Sequence, residues 1–380
     1  MRSYDAIVAG GGLIGSAIAL ELARNDLRVA LFDSQEPGQE ASWASAGILS
    51  PAPENPGMIP LVPIGQASLA IYPDYIALVE ELSGIATGYR ARGTIEGLFS
   101  QHAREELNTI VALHHGLGLQ AEAISAKEAQ EMEPALSEEL EAAVLRPKEA
   151  SVDNRLLAKA LLEGSKRSGV EVHAGFAVQT IWREGPRCAG ARIQGENISA
   201  KFTIIAAGSF SSQIAGAEEY APVVPAKGQM LSLRCDAAKI DRVLWSERIY
   251  IVPRNDGRIL CGATVEYVGF DKAVTASGVH SNLDGAIELA PVLAGALVEE
   301  TWAGLRPDTP DHLPIVGATD LDGLFIATGH FRSGVLLTPI TAKLIGELVA
   351  GKTPSVDCSR FNPMRFRAAR ESARVSGASH

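Results

Sequence analysis

The sequence predicts an α/β protein in which a domain with a parallel sheet is interrupted by an α+β domain built on an antiparallel sheet. The chain opens with a strand, a glycine loop and a helix over residues 4–24, and the same order returns over residues 323–351. Between them, residues 223–303 alternate apolar and polar side chains around turn signals. We therefore expect the first domain to be discontinuous, with both ends of the chain returning to one sheet.

The opening loop has the glycine spacing of a dinucleotide-binding turn. Residues 4–9 form an apolar strand, Gly10, Gly12 and Gly15 follow as G-x-G-x-x-G, and residues 13–24 form a helix. The first glycine allows a sharp turn, the second leaves room for the ligand, and the third lets the helix pack on the strand. A diphosphate would bind the unpaired N–H groups at the helix N-terminus.

An acidic residue ends the next strand, which spans residues 28–32. Asp33 stands eighteen residues after Gly15, where a carboxylate can accept hydrogen bonds from the adenosine ribose. The same negative charge would repel a 2′-phosphate, so NADP is disfavoured. These features predict a Rossmann-like domain for an adenine dinucleotide, and they leave FAD and NAD open.

Composition limits the partners. A chain of 380 residues can form about two domains. The formal net charge of −11 argues against nucleic acid, and we interpret the basic segment 360–374 as a solvated tail. Four separated cysteines without C-x-x-C predict neither disulfide nor zinc site, and no other metal-ligand spacing is present.

No membrane span is expected. The apolar run 6–20 contains three consecutive glycines that the nucleotide motif explains, so we do not interpret it as a signal peptide. The run 335–350 contains Lys343 and Glu347 and is too short to cross a bilayer. We therefore predict a cytoplasmic protein.

Several connecting elements follow from local signals. Asp153 is a good N-cap for a helix at 154–168, and another helix is expected at 65–82. Asn-Asp-Gly at 255–257 predicts a hairpin, while 281–289 and 296–299 should supply at least one helix.

Two arginines and one tyrosine are the candidates for chemistry. Arg306 and Arg332 lie among apolar or small residues, where a guanidinium needs an anionic partner. A structural ion pair and a clamp for a substrate carboxylate explain them equally well. Tyr250 alternates with apolar neighbours, and a core aromatic is the simpler interpretation of it alone. No Ser/His/Asp or Cys/His arrangement is present, so a cofactor must supply the chemistry.

Taken together, these segments resemble the flavin-dependent amine oxidases of the D-amino acid oxidase superfamily, and within it the glycine oxidases of thiamine biosynthesis. The resemblance spans residues 4–361. Its most specific motifs are Tyr-Ile-Val-Pro at 250–253, Gly-Ala-Thr at 262–264, Trp-Ala-Gly-Leu-Arg-Pro at 302–307 and Gly-His-Phe-Arg at 329–332, followed by Gly334.

The resemblance implies noncovalent FAD and assigns residues to it. The diphosphate and ribose would lie at Gly10, Gly12, Leu13, Ile14, Gly15, Asp33 and Ser34. Adenine or flavin contacts would come from Ala41, Ser42, Ala46, Gly47, Ile48, Val178, His330, Phe331, Arg332, Ser333, Gly334, Val335 and Leu336. The implied FAD-binding domain comprises residues 1–88, 148–222 and 308–365, the substrate-binding domain 89–147 and 223–307, and the tail 366–380.

The resemblance also implies an activity. Tyr250, Arg306 and Arg332 would hold the carboxylate of a small amino acid, with hydride transfer from Cα to flavin N5. The helix after Arg332 would stabilise negative charge near flavin N1 and O2. With glycine as substrate and molecular oxygen as acceptor, the products would be glyoxylate, ammonia and hydrogen peroxide. No residue is assigned as acid or base, and we expect a homo-oligomer.

Three positions depart from the family pattern: Ile48, Trp245 and Arg248. Arg248 would either place a third cation at the mouth of the site or face solvent. The substrate therefore stays open. The alternatives are a D-amino acid or sarcosine-type dehydrogenase with another electron acceptor, and a flavin-binding protein without turnover.

Overall fold

The computed structural model describes residues 3–367. The expectations for the tail beyond Arg367, including Arg370 and Arg374, lie outside the described residues.

The helices include one long element, α3, and several of twelve to fourteen residues. Their bounds are α1 Leu13–Arg24, α2 Ala41–Ala44, α3 Val62–Ser83, α4 Ala103–Gly116, α5 Ala126–Met132, α6 Asn154–Arg167, α7 Ala276–Leu289 and α8 Thr338–Val349. Short 3₁₀ turns span Pro56–Leu61, Gly208–Gln213, Pro291–Gly295 and Ser359–Phe361.

The strands alternate with these helices in the first part of the chain and then follow one another. Their bounds are β1 Ser3–Ala9, β2 Val29–Asp33, β3 Ile48–Leu49, β4 Thr94–Leu98, β5 Glu122–Ser125, β6 Ala142–Arg146, β7 Ala150–Ser151, β8 Glu171–Ala174, β9 Val178–Glu184, β10 Arg187–Ile193, β11 Glu196–Ile205, β12 Val224–Arg234, β13 Val243–Trp245, β14 Tyr250–Pro253, β15 Arg258–Gly262, β16 Leu297–Asp308, β17 Ile315–Ala318 and β18 Leu324–Thr328.

The first sheet has the order β17-β18-β11-β1-β2-β8, with β9 and β10 attached to β11. Strands β18, β11, β1, β2 and β8 are parallel, whereas β17, β10 and β9 pair antiparallel. Strand β1 is apolar and largely buried, as expected for a parallel strand covered on both faces. Because β2 lies on one side of β1 and β11 on the other, the chain order reverses at β1. Ligands of open α/β sheets bind at such a position, outside the carboxyl ends of the strands.

The second sheet has the order β16-β12-β15-β14-β13-β4-β6-β5 and is antiparallel except for the pair β13 and β4. Gly257 takes a left-handed conformation in the predicted hairpin, which joins β14 to β15. A small third sheet pairs β3 with β7. The predicted α/β fold with a separate antiparallel sheet is confirmed.

Each sheet has its own hydrophobic core. Helices α1, α3, α6 and α8 cover one face of the first sheet, and α5 and α7 pack on the second. The division of the chain into an FAD-binding and a substrate-binding domain stays a prediction. No helix within residues 3–367 has the length and apolar character required to span a bilayer.

Local signals placed several elements close to their observed bounds. The N-cap prediction for Asp153 is confirmed, since its carboxylate accepts hydrogen bonds from the N–H groups of Arg155 and Leu156. The predicted helix at 281–289 begins earlier, at Ala276. The expectation of at least one helix from residues 281–289 and 296–299 is met by α7, and residues 296–299 lead into β16, which pairs with β12. The pairing of β16 with β12, which is remote in sequence, determined the conformation of this short segment.

Candidate active site

A cavity of about 500 Å³ lies between the two sheets. The carboxyl ends of β1, β2, β11 and β18 form one side, and residues of β12, β14 and β16 form the other. The volume is in the range of cofactor and substrate sites. The strand-order reversal at β1 therefore opens into this cavity.

The glycine loop between β1 and α1 closes one end of the cavity. Gly10 has a φ of +104°, and a Cβ there would lie 2.4 Å from the carbonyl oxygen of Ala206. A Cβ on Gly15 would lie 1.8 Å from the carbonyl oxygen of Gly10, so only glycine lets the helix approach the turn. Gly12 lines the cavity and forms the helix N-cap without a side chain. This loop fits a diphosphate at the helix N-terminus.

Asp33 ends β2 on the cavity wall. Its Oδ2 accepts a hydrogen bond from the Gly11 N–H at 2.7 Å, and its Oδ1 accepts one from the Gln35 N–H at 3.0 Å. Burial raises the pKa of Asp33, and these two hydrogen bonds act in the opposite direction. The carboxylate is thus held in place beside Ser34, where a ribose would lie.

The segment Ala46-Gly47-Ile48 forms the wall next to β3. Gly47 has a φ of +70°, and a Cβ there would lie 2.0 Å from the carbonyl oxygen of Val152. The Arg254 guanidinium donates hydrogen bonds to the carbonyl oxygens of Ala46 at 2.9 Å and Val152 at 3.1 Å. A cation from the second sheet therefore fixes a segment that would contact the flavin.

The loop from Gly329 to Val335 forms another part of the cavity wall. The Phe331 N–H donates a hydrogen bond to the Pro307 carbonyl oxygen at 2.9 Å, which ties this loop to the end of β16. From α3, the Tyr72 hydroxyl donates to the Val335 carbonyl oxygen at 2.9 Å. These contacts bring Arg306 and Arg332 to the same cavity from two separate elements.

Arg306 occupies a recess shaped by glycine. A Cβ on Gly228 would lie 2.2 Å from Arg306 Nη1, so the guanidinium lies directly over the neighbouring strand. Nη1 donates a hydrogen bond to the Thr264 carbonyl oxygen at 3.0 Å. Burial lowers the pKa of Arg306, and interaction with the Tyr250 hydroxyl opposes that shift. No carboxylate of the described residues lies within 4.0 Å of this guanidinium.

Tyr250 faces the cavity from β14. Its hydroxyl lies 3.1 Å from Met230 Sδ, and its ring packs on Trp245 with ring centroids 5.3 Å apart. Met230 and Trp245 also line the cavity. The phenol and Arg306 therefore present polar groups on an otherwise apolar wall.

Arg332 differs from Arg306 because it already has an anionic partner. Its Nη2 lies 2.8 Å from Oε2 of Glu54, and both side chains are about a quarter exposed. Burial raises the pKa of Glu54, and Arg332 and Arg306 both lower it. The ion-pair interpretation that the sequence left open is thus realised at Arg332 and not at Arg306.

Most of the residues assigned from the sequence surround this one cavity. Those that line it are Gly10, Gly12, Leu13, Ile14, Asp33, Ser34, Ala41, Ser42, Ala46, Gly47, Ile48, Val178, Tyr250, Arg306, His330, Phe331, Arg332, Gly334 and Val335. Three assigned residues do not line it: Gly15, Ser333 and Leu336. Gly15 instead packs α1 against the turn, and the other two line a small separate pocket together with residues of the segment 50–61.

Arg248 lies outside the cavity. Its guanidinium forms ion pairs with Asp284, at 2.6 Å, and with Glu288, both on α7. The side chain is half-exposed. The expectation of a third cation at the mouth of the site is therefore not supported.

Sequence reasoning missed Glu54 and Gly228, which both line the cavity. Glu54 is the one acidic residue in the proline-rich stretch 51–63, and this isolated charge was a usable signal. Gly228 lies in a strand interior, where glycine often marks a close approach by another group. Its partner, however, is remote in sequence.

Similarity to known proteins identifies the class of this protein. The FAD dependent oxidoreductase family matches residues 5–348, and the chain belongs to this family. The glycine loop, the acid at the end of β2 and the long cavity fit its cofactor, FAD. The predictions of a flavoprotein oxidoreductase and of FAD in place of NAD are confirmed.

Within this family the chain is similar to glycine oxidases. It is 34% identical to the glycine oxidase of Pseudomonas aeruginosa, over 95% of this chain and 99% of that protein. The crystal structure of glycine oxidase from Geobacillus kaustophilus superposes with a TM-score of 0.90 at 32% identity, covering 96% of this chain and 99% of that one. These similarities confirm the resemblance inferred from the motifs.

A bifunctional protein ThiO/ThiG from Synechocystis sp. is 35% identical over 95% of this chain. The chain spans only 54% of the length of that relative. The similarity therefore concerns about half of the bifunctional protein.

Proposed function

We propose that this chain catalyses the FAD-dependent oxidative deamination of a small amino acid, with glycine as the first candidate and sarcosine and small D-amino acids as the next. The observation that carries the proposal is Arg306, a cation in the cavity wall beside the Tyr250 hydroxyl, with no carboxylate of the described residues in contact. A guanidinium in such a place is matched by a planar carboxylate from the substrate. The similarity to glycine oxidases supports the same substrate class.

The proposed role of the protein's own residues is to bind and orient the substrate. Arg306 would form charge-assisted hydrogen bonds with the substrate carboxylate, and Tyr250 would donate a further one. Apolar groups of Met230, Trp245 and Ile48 line the space beside them and limit the size of the side chain. Fixing the carboxylate fixes the direction of the Cα–H bond, which is how positioning lowers the barrier.

When bound, FAD supplies the hydride acceptor and the route of electrons to molecular oxygen. Loss of hydride from Cα of glycine leaves an imine, which one water molecule hydrolyses to glyoxylate and ammonia, while oxygen takes up the two electrons and becomes hydrogen peroxide. The amine reacts as its neutral form, so its proton leaves to solvent before the transfer. His330 lines the cavity, but its Nε2 lies 3.0 Å from the Thr341 hydroxyl, and we assign it no acid or base role. A role in thiamine biosynthesis, as the resemblance implies, is part of the proposal.

The test is substitution of Arg306. In Arg306→Ala we expect KM for glycine to rise by the equivalent of about 2 to 4 kcal/mol, because the carboxylate loses a charged hydrogen-bond partner. Arg306→Lys keeps the positive charge but loses the two parallel N–H donors of the guanidinium. Its KM should therefore lie between that of the unsubstituted protein and that of Arg306→Ala. Anaerobic bleaching of the flavin, titrated with glycine, measures the effect without relying on oxygen.

Arg248→Ala is the matched control, because it removes the same type of side chain outside the cavity. Its KM should match that of the unsubstituted protein. If Arg306→Ala retains FAD and shows an unchanged KM, Arg306 does not bind the substrate.

The oxidase and the dehydrogenase differ only in the electron acceptor. We favour the oxidase because two of the similar proteins, matched over nearly their full length, are glycine oxidases. Peroxide formation in air would support it. Turnover with an artificial dye and none with oxygen would favour the dehydrogenase, and a flavin that no amino acid bleaches would favour the non-catalytic alternative.

A further inference from the structure

The cavity contains one carboxylate close to both candidate anchors, and the proposed reaction gives it no role. Glu54 lies on the cavity wall and forms an ion pair with Arg332 at 2.8 Å. It also interacts electrostatically with Arg306. The segment that carries it, between β3 and α3, is rich in proline, which restricts its backbone.

The two arginines are therefore unequal. Arg332 is paired, whereas Arg306 has the Thr264 carbonyl oxygen and the Tyr250 hydroxyl around it and no carboxylate among the described residues. Two cations and one anion leave a single positive charge for the ligand to match. A ligand with one carboxylate satisfies this balance, whereas a ligand with two must displace Glu54 or place its second anion against it.

We propose that Glu54 is a specificity-determining residue: by occupying Arg332 it restricts the site to amino acids with one anionic group and excludes dicarboxylic ones. This inference rests on the proposed function, since it assumes that Arg306 holds the substrate carboxylate. Exclusion of the wrong ligand by a like charge is a common source of specificity and needs no extra contact with the correct one.

Arg332 could therefore bind a carboxylate of the ligand if its ion pair with Glu54 were removed. Released from Glu54, its guanidinium would present a free fork to a second carboxylate of the ligand. Both arginines border the same cavity and interact electrostatically, so one ligand can contact both. Neutralising Glu54 should convert the site from one that admits monocarboxylates to one that admits dicarboxylates.

The experiment uses the FAD-loaded protein and non-reacting probes. Binding of propionate, butyrate and valerate, and of malonate, succinate and glutarate, is measured from the perturbation of the flavin spectrum. In the unsubstituted protein each dicarboxylate should bind more weakly than the monocarboxylate of the same length. In Glu54→Gln this ratio of dissociation constants should fall at least tenfold for the best-fitting length.

Three variants make the result specific. Glu54→Asp keeps the charge and should keep the ratio. Glu40→Gln removes the same charge from another part of the cavity wall, where the carboxylate pairs with Lys272, and should also keep the ratio. The double variant of Glu54→Gln with Arg332→Met should not show the fall in the ratio of dissociation constants. That result would identify Arg332 as the group that binds the second carboxylate.

An unchanged ratio in FAD-loaded Glu54→Gln overturns the inference while leaving the proposed function intact. If Glu54→Gln does not retain FAD, the same comparison is made with Glu54→Ala, for which the same fall in the ratio is expected. If no carboxylate perturbs the flavin of the unsubstituted protein, the inference is overturned, and bleaching of the flavin by glycine decides the proposed function separately.

Discussion

At the scale of single residues, the cavity wall keeps an uncharged imidazole where a charge would be costly. His330 is 4% exposed, and its Nε2 contacts the Thr341 hydroxyl. Burial lowers the pKa of His330 to about 3. At neutral pH the ring is therefore a polar but neutral part of the wall beside Arg332. The resemblance assigned this histidine to the cofactor, and the structure supplies the reason for its neutrality.

This pKa has a consequence for stability. Between pH 6.5 and about 3 the unfolded chain binds a proton at His330 that the folded protein does not, so acidification destabilises the fold. One such proton contributes up to about 1.4 kcal/mol per pH unit. We expect His330→Gln to lose stability less steeply than the unsubstituted protein from pH 7.5 to 5, as measured by urea unfolding with excess FAD. His102→Gln, at an exposed histidine, serves as the control, and parallel curves for His330→Gln would contradict the prediction.

At the scale of elements, the antiparallel ladder of β12 and β16 builds the site. In this ladder Gly228 pairs with Gly304, and Ala226 pairs with Arg306. The Arg306 side chain extends over the glycine of the adjacent strand, where a Cβ would collide with its guanidinium. Gly304 faces the cavity too, and a Cβ there would lie 2.3 Å from Cβ of Ala44 on α2. Gly228 thus makes room for the Arg306 side chain, and Gly304 makes room for helix α2.

Adding one methyl group at this point should move the anchor without removing its charge. In Gly228→Ala we expect KM for glycine to rise about tenfold or more, because misplacing a binding group by about 1 Å is costly. Steady-state kinetics and FAD content measure the effect. Gly116→Ala is the matched control, since a Cβ there meets nothing within 4 Å. Equal KM values for the two variants would show that Arg306 adjusts without loss.

At the scale of the whole molecule, the two sheets are joined through buried polar contacts. Arg254 follows β14 in the second sheet, and its guanidinium binds the carbonyl oxygens of Ala46 and Val152 and the side-chain oxygen of Asn154 at 2.8 Å. Burial lowers the pKa of Arg254 to about 10, so the group stays charged at neutral pH. The cavity wall therefore depends on a cation from the opposite sheet.

Removing that cation should weaken both fold and cofactor site. In Arg254→Met we expect the free energy of unfolding to fall by about 3 to 5 kcal/mol, because three buried acceptors lose their donor. Urea unfolding measures the loss, and fluorescence of released FAD measures the weakened site. Arg28→Met, at an ion pair whose arginine is 70% exposed, should change stability by less than about 1 kcal/mol. A similar small change for Arg254→Met would refute a structural role for the junction.

The same three scales separate what could be predicted from what could not. The glycine loop, Asp33, the hairpin at Gly257 and the N-cap at Asp153 were predictable, because each depends on backbone conformation or on neighbours within a few residues. Arg306 and Arg332 could be singled out as cations needing partners. Their different partners could not be assigned, since an ion pair depends on which segments meet in space.

By itself, therefore, the sequence determined the fold class, the dinucleotide turn and the candidate anchors, through local sterics and hydrophobic pattern. Tertiary structure decided that Glu54 meets Arg332 across 278 residues of chain, that Gly228 makes room for Arg306, and that Arg254 supports the opposite wall. Each of these contacts joins segments remote along the chain. They form because strands of the two sheets are brought together around one cavity, and that arrangement is set by the burial of two cores and not by any local motif.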